Sequence, residues 1–147
     1  MKFFTPNMKS IAFADLMAQA GEAHLRSRGF CRVTVPRIVP ASGACENVDT
    51  LFEVSVGGNN HWFSTPSPDG LQPKQTYFAQ TGQLYLESLL GQGGYPKLYC
   101  TGPSARAEAE VDTRHLTEFE MVEIEFRGTF DELLHEIELY LTTLVDA

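Results

Sequence analysis

Five side chains suited to nucleotide chemistry lie within fourteen positions of the chain: Arg106, Glu108, Arg114, His115 and Phe119. Guanidinium groups stay charged at any working pH, and their planar donors bind phosphate oxygens in pairs. A carboxylate can accept a hydrogen bond from an exocyclic amine, and a phenyl ring can stack on a purine face. This combination of residue types predicts a nucleotide-binding site.

The residues around these side chains alternate as they would in two paired strands. Arg106, Glu108 and Glu110 would share one face of the first strand, opposite three alanines. Residues 111–113 predict a turn that Asp112 forms. The second strand, 115–126, would carry four residues on one face: Phe119, Met121, Glu123 and Glu125. Such a hairpin would bring both arginines towards one phosphate group, although a charged hairpin on a solvated sheet face is the alternative.

The segment GPSARAE, followed by TRHLTEFEMVE, resembles motif 2 of the class II aminoacyl-tRNA synthetases, and within them the asparaginyl and aspartyl branch. The resemblance implies that Arg106 holds the α-phosphate of ATP and the adenylate, and that Glu108 meets the adenine amine. It also implies that Arg114, with His115 beside it, reaches the γ-phosphate and that Phe119 stacks on adenine.

Length, composition and cysteine usage describe an ordinary folded domain. The chain has 147 residues, of which 43% are hydrophobic and 20% charged, values typical of globular proteins. No apolar run approaches the about 18–20 residues that a membrane span needs, and no secretion signal is evident. Three scattered cysteines, Cys31, Cys45 and Cys100, predict free thiols in a cytoplasmic protein. No spacing of histidines and cysteines predicts a metal site.

The charge balance excludes broad electrostatic binding of nucleic acid. The formal net charge is −8, with only 11 lysines and arginines, whereas polynucleotide binding needs clustered basic residues. The basic residues are local, which suits a small anionic ligand. If tRNA is a partner, we expect its main contacts on a segment not present in this sequence.

A second motif precedes the hairpin. A helix is predicted over 8–28, then Gly29, then a strand over 30–35 that ends at Pro36. The segment RGFCRVTVPRIV is similar to motif 1 of class II synthetases, which implies a homodimer with Pro36 at the subunit contact. A plain helix-to-strand connection is the alternative.

Two further segments resemble the amino-acid site of the asparaginyl and aspartyl enzymes. The loop 41–52, leading into a strand over 51–56, implies that Glu46 binds the substrate's α-ammonium. In AQTGQLYLE, Gln80 would contact the backbone end of the amino acid, with Gln83 in support. Leu86 replaces the lysine of aspartyl enzymes, which favours a neutral amide substrate, and Glu87 could accept from its NH2. The alternatives are a solvated loop glutamate and ordinary helix residues.

The remaining segments complete the element predictions. A hairpin is predicted around the turn 57–60, followed by an irregular proline-rich loop over 64–74. Thr81 is predicted to cap a helix ending at Leu90, and a strand is predicted over 97–101. The final helix, 129–147, would be capped by Thr129 and bury an apolar stripe of Leu133, Leu134, Ile137, Leu141 and Leu144.

The resemblance has gaps. Ala105 and Glu120 stand where the family usually has aromatic residues, and nothing matches the family's third motif. The family's acidic Mg2+ ligands lie downstream of the region matched here, so Mg2+ is expected without ligands in this chain.

We therefore predict an α+β fold with a mainly antiparallel sheet and flanking helices. By the resemblance, residues 1–147 form an incomplete class II synthetase core. Motif 1 lies at about 8–37 and motif 2 at about 98–126. The predicted activity is ATP-dependent activation of asparagine for transfer to tRNA, which this chain alone is expected not to complete. The alternatives are an aspartyl enzyme, an ammonia-dependent asparagine synthetase relative, and a non-catalytic dimerising or ligand-sensing paralogue.

Overall fold

The computed structural model describes residues 7–40, 48–54, 76–110, 112 and 115–147. Three helices lie in this part of the chain: α1 (Met8–Ser27), α2 (Gln83–Gln92) and α3 (Phe130–Asp146). Six strands accompany them: β1 (Cys31–Arg32), β2 (Ile38–Val39), β3 (Glu53–Val54), β4 (Thr76–Phe78), β5 (Lys97–Ala105) and β6 (Glu118–Phe126). One turn of 3-10 helix, Val48–Thr50, precedes β3.

The strands form two three-stranded sheets. In the first sheet the order is β1-β5-β6, and β5 pairs with β6 in antiparallel register along all nine residues. In the second sheet β4 lies between β2 and β3, and both pairings are antiparallel. The predicted α+β class with a mainly antiparallel sheet is thereby confirmed. The parallel pairing of β1 with β5, Cys31 opposite Leu98, was not predicted.

Local sequence signals explain where two of the helices begin. Asn7 caps α1 through a reciprocal pair of hydrogen bonds with Ser10, and Thr129 caps α3 in the same way with Glu132. Each capping box satisfies backbone donors that a helix start leaves unpaired. Gly29, at a φ of +83°, follows α1 and allows the left-handed turn that stops a helix.

The first sheet buries a different core on each face. On one face, α2 places Leu86 and Leu90 against Leu98, Cys100 and Val35. On the other face, Tyr99 packs with two residues from α1 and the segment after it, Leu25 and Phe30, while Tyr140 of α3 lies beside them. The sheet is therefore a central layer between α2 on one side and the α1–α3 pair on the other.

An ion-pair cluster joins the end of α1 and the start of β5 to the interior of α3. Glu136, which is buried, accepts two hydrogen bonds of 3.0 Å from Arg28 and one of 2.6 Å from Lys97. The hydrogen bonds from Arg28, and then the one from Lys97, lower the pKa of Glu136 to about 2. The carboxylate is therefore charged throughout the neutral range.

Four element predictions need correction. The strand predicted over 30–35 is reduced to Cys31–Arg32, because the chain leaves the edge of β5 after Val33 bonds Tyr99. The strand predicted over 97–101 continues to Ala105, and the one predicted from 115 begins at Glu118. The strand predicted over 51–56 is seen at 53–54, and its last two residues lie outside the described residues. The predicted hairpin at 57–60 and the proline-rich loop at 64–74 also lie outside them.

The predicted cap of α2 is shifted by one residue, and the predicted buried stripe of α3 is wrong. Gly82 is the cap residue of α2, although the Thr81 hydroxyl does accept from the Gln83 N–H at 3.1 Å. On α3, Leu134, Ile137 and Leu141 are 48%, 40% and 54% exposed, because α1 and the sheet pack against a different side of the helix. No helix among the described residues is long and apolar enough to span a membrane.

Candidate functional site

One face of the β5–β6 hairpin, here called the site face, carries two of the predicted ligand-binding residues, Arg106 and Phe119. Register and alternation place three residues of β6 on this face, Phe119, Met121 and Glu123, opposite Ser104, Gly102 and Cys100. Arg106 extends the same series, because its backbone N–H donates to the Thr117 carbonyl at 2.8 Å just beyond the end of β5. The alternation predicted for Phe119 to Glu125 is confirmed.

Arg106 and Phe119 contact each other at the open end of the site face. The guanidinium carbon of Arg106 lies 5.3 Å from the centre of the Phe119 ring, within cation–π range. Both side chains are half-buried. The Arg106 Nε atom is buried and has no hydrogen-bond partner within the described part of the chain. An unsatisfied buried donor is uncommon and costly.

The other predicted nucleotide contacts lie around the hairpin connection. Glu108 is half-buried, two residues after Arg106. His115 is exposed, and its backbone N–H donates to Asp112 Oδ1 at 2.7 Å, while its Nδ1 lies 3.0 Å from the same atom. The predicted turn over 111–113 is described only at Asp112, so it stays a prediction. Arg114 lies outside the described residues, so its approach to Arg106 stays a prediction.

Gln80 is buried where the two sheets meet. Its Nε2 atom donates to the carbonyl and the hydroxyl of Thr50 at 2.9 and 3.0 Å. Its backbone carbonyl accepts from the Ser104 hydroxyl at 2.8 Å. The Thr50 carbonyl also accepts from the Ala107 N–H at 2.8 Å. Gln80 is thus fixed beside β5, the strand that Arg106 follows, and its amide nitrogen is bonded to Thr50.

Glu123 attaches the start of α2 to the site face. Its carboxylate accepts from the Gly82 N–H at 2.8 and 3.0 Å and from the Thr81 hydroxyl. A carboxylate at a helix N-terminus is favoured by the helix dipole. Burial, and then the charge of Glu123, raise the pKa of the neighbouring Cys100 thiol to about 11, so this thiol stays protonated and unreactive.

Gln83 and Glu87 lie farther from the nucleotide end. Gln83 follows Gly82, which contacts Glu123, a residue four positions or about 13 Å along β6 from Phe119. Gln83 Nε2 donates to Glu87 Oε1 at 3.0 Å. Burial, and then the charge of Glu87, raise the pKa of Glu125, so Glu87 lies nearer that residue. The structure therefore brings Arg106, Phe119 and Gln80 close together and sets Glu87 apart from them.

The remaining predictions are the subunit contact at Pro36, the binding of the substrate's α-ammonium by Glu46, and the lack of a metal site. Pro36 is exposed, directly after the buried Val35. Glu46 lies outside the described residues. Within the described ranges, no group of three or more histidine, cysteine or acidic side chains is placed to hold a metal ion.

Three residues that hold the site together were not predicted to belong to it: Thr50, Ser104 and Glu123. Glu123 could have been suspected, because it shares the alternation of Phe119 and Met121 on β6. Thr50 and Ser104 carry no comparable signal, since their roles depend on Gln80, which reaches them from a distant segment.

The family comparison covers nearly the whole chain. The family model described as tRNA synthetases class II (D, K and N) matches residues 2–146. Among solved structures, the asparaginyl-tRNA synthetase of Pyrococcus horikoshii complexed with asparaginyl-adenylate is similar with a TM-score of 0.70 and 26% identity. The match covers 92% of this chain and 28% of that one.

Curated relatives agree with the family model. An asparagine–tRNA ligase of Herpetosiphon aurantiacus is 56% identical over 113 residues, which cover 77% of this chain and 21% of the relative. A cytoplasmic asparagine–tRNA ligase of Mus musculus is 32% identical over 142 residues, covering 95% of this chain and 22% of the relative. The chain thus spans about a fifth of the length of these relatives.

Proposed function

Because this chain belongs to the class II tRNA synthetases of the D, K and N group, we propose that it binds ATP and asparagine as the motif 1 and motif 2 part of an asparagine-activating enzyme. The observation that carries the proposal is the Arg106–Phe119 contact, with its unsatisfied Nε donor, on the face that also holds Gln80. At one end of the site, Phe119 offers a ring for stacking and Arg106 a charged guanidinium. At the other end, Gln80 is a polar group held in place by hydrogen bonds.

The residues of the hairpin suit the nucleotide. Arg106 donates to the α-phosphate, and the free face of the Phe119 ring stacks on adenine, whose amine donates to Glu108. Arg114 and His115 reach the γ-phosphate. Mg2+, if it takes part, would neutralise phosphate charge and would need ligands from outside the described residues.

The chemistry that this site supports is adenylate formation. The carboxylate of the amino acid attacks the α-phosphorus, and pyrophosphate leaves. Catalysis of this kind consists mostly of alignment and of stabilising charge that develops on the phosphate. Arg106 supplies that charge, and its contact with Phe119 fixes the guanidinium before the transition state is reached.

The amino-acid end of the site uses residues from before β4 to α2. We propose that Glu46 binds the α-ammonium, that Gln80 and Gln83 contact the backbone end, and that Glu87 accepts from the side-chain amide. Leu86 is fully buried against the core and supplies no cation. A substrate with a second carboxylate would lack a counter-charge there, which favours asparagine over aspartate.

The partners follow from the family. We propose that tRNA binds through segments other than this acidic chain, that Pro36 contributes to a homodimer contact, and that the protein acts in the cytoplasm. The exposure of Pro36 is consistent with a subunit contact at that position.

Isothermal titration calorimetry with ATP, asparagine and aspartate tests the proposal directly. We expect ATP and asparagine to bind, aspartate to bind at least about tenfold more weakly, and Arg106→Ala to abolish ATP binding. Arg127→Ala, which removes an exposed arginine after the far end of β6, serves as the charge-matched control and should leave ATP binding unchanged. Unchanged ATP binding by Arg106→Ala would falsify the site assignment.

Pyrophosphate exchange separates the remaining functions. Binding of both ligands without exchange would indicate a non-catalytic ligand-sensing module or the need for the rest of a longer enzyme. Tighter binding of aspartate than of asparagine would indicate an aspartyl enzyme. Aspartate-dependent exchange followed by capture of ammonia would indicate an asparagine synthetase relative.

A further inference from the structure

Arg37 joins the two sheets through both its backbone and its side chain. Its carbonyl accepts from the Ala79 N–H at 2.8 Å, at the end of β4 in the second sheet. Its guanidinium donates to the carbonyls of Thr101 and Pro103 on β5 of the first sheet, at 2.7 and 3.2 Å. The hydrogen bond from the Ser104 hydroxyl to the Gln80 carbonyl is a second link between β5 and the segment after β4.

The Arg37 side chain bonds the carbonyls on the edge of β5 that β1 leaves unpaired. β1 covers this edge only as far as the bond from the Val33 N–H to the Tyr99 carbonyl. The next two carbonyls on the same edge belong to Thr101 and Pro103, because carbonyls of a strand alternate between its edges. A guanidinium can donate to both at once, since it carries parallel donors in a rigid plane, whereas an ammonium cannot match that geometry.

Gly102 provides the space for this contact. A Cβ on Gly102 would overlap the Nη2 atom of Arg37, and its φ of +152° is one that other residues rarely adopt. A side chain at position 102 would lie on the site face, opposite Met121, so the Arg37 guanidinium that fills this space lies on that face as well. The glycine and the arginine therefore form a matched pair.

The pair lies next to the contact that fixes Gln80. Ala79, which bonds Arg37, precedes Gln80, and Gly102 lies two residues before Ser104, whose hydroxyl bonds the Gln80 carbonyl. By contrast, Arg106 and Phe119 lie on one hairpin and contact each other without Arg37. We propose that Arg37 is a positioning residue, which seats over Gly102 and holds Gln80 at the distance from Arg106 that the amino acid requires.

A double-mutant cycle on stability tests the pairing without reference to any ligand. The variants are Arg37→Met, Gly102→Ala and the double substitution, unfolded in urea. We expect Gly102→Ala to raise the unfolding constant at least about tenfold in the presence of Arg37, and several-fold less in the Arg37→Met background, because the overlap is then relieved. Equal effects in both backgrounds would show that Arg37 does not occupy this position.

Ligand affinities test the positioning role, which rests on the function proposed above. We expect Arg37→Met to raise the Kd for asparagine about tenfold and the Kd for ATP less than about twofold, with partial rescue by Arg37→Lys. Arg32→Met is the control, since this exposed arginine also contacts β5, through the Thr101 hydroxyl. An equal rise in the Kd for asparagine and the Kd for ATP, or no change in either, would overturn the inference. Absence of binding by the unsubstituted chain would overturn the proposed function and the positioning role together, while the stability cycle would still report on the link between the sheets.

Discussion

The guanidinium carbon of Arg106 lies 5.3 Å from the centre of the Phe119 ring, so the two residues assigned to the phosphate and the base of ATP contact each other directly. A cation–π contact of this kind contributes about 0.5–2 kcal/mol, depending on how much water it excludes. Each side chain therefore restricts the conformation of the other, and a substitution of the Phe119 ring should affect both the stacking on adenine and the position of the guanidinium that binds phosphate.

Phe119→Leu should weaken ATP binding by about tenfold, because it removes the stacking surface and releases the arginine. Phe119→Tyr keeps the aromatic face and is the matched control, expected to bind ATP with similar affinity. Fluorescence or calorimetric titration gives both constants. A leucine variant that binds ATP as well as the unsubstituted protein would mean that adenine does not lie on this ring.

Glu136→Gln should destabilise the protein by about 1–2 kcal/mol at neutral pH, because charged hydrogen bonds from Arg28 and Lys97 are lost. The folded-state pKa of Glu136 is about 2, below its ordinary value of 4.5. The stabilisation is therefore complete above about pH 4.5 and is lost as the pH falls towards 2. Urea unfolding across this range should show the two proteins converging in acid, and a constant difference would contradict the assignment.

Leucines on two helices should differ sharply in their importance for stability. Leu86 is fully buried, whereas Leu141 is 54% exposed. Leu86→Ala should cost about 2–5 kcal/mol through lost burial and a cavity, and Leu141→Ala less than about 1 kcal/mol. Urea midpoints measured on both variants and on the unsubstituted protein give the two losses of stability. A large loss for Leu141 would show that α3 is covered in solution, by a second copy or by another segment.

Helices and the site hairpin could be predicted from local signals in the sequence. The predicted bounds of α1 and the Thr129 cap agree with the structure, because helical periodicity and capping depend on neighbouring residues. The alternation of Phe119 and Met121 is likewise a local property and places them on one face correctly.

The errors arose where distant segments decide the outcome. At the start of α2, Glu123 from a distant segment accepts from both the Thr81 hydroxyl and the Gly82 N–H, which the local sequence does not indicate. Periodicity shows which residues of α3 share a face, but not whether anything covers that face, so the predicted stripe is exposed in the structure. The close approach of Arg37 to Gly102 was not predicted either, since nothing around either residue signals the other.

The parallel pairing of β1 with β5 has a consequence for how the chain folds. It joins Cys31 to Leu98, and closing so long a loop costs entropy before any contact is gained. The β5–β6 hairpin, with its short connection, should instead be formed in the transition state. Ile124→Val within that hairpin should then slow refolding in stopped-flow experiments, whereas Arg37→Met should mainly accelerate unfolding. The contacts of Gln80 and Arg37 with this hairpin would thus be formed at the end of folding and lost first when the protein opens.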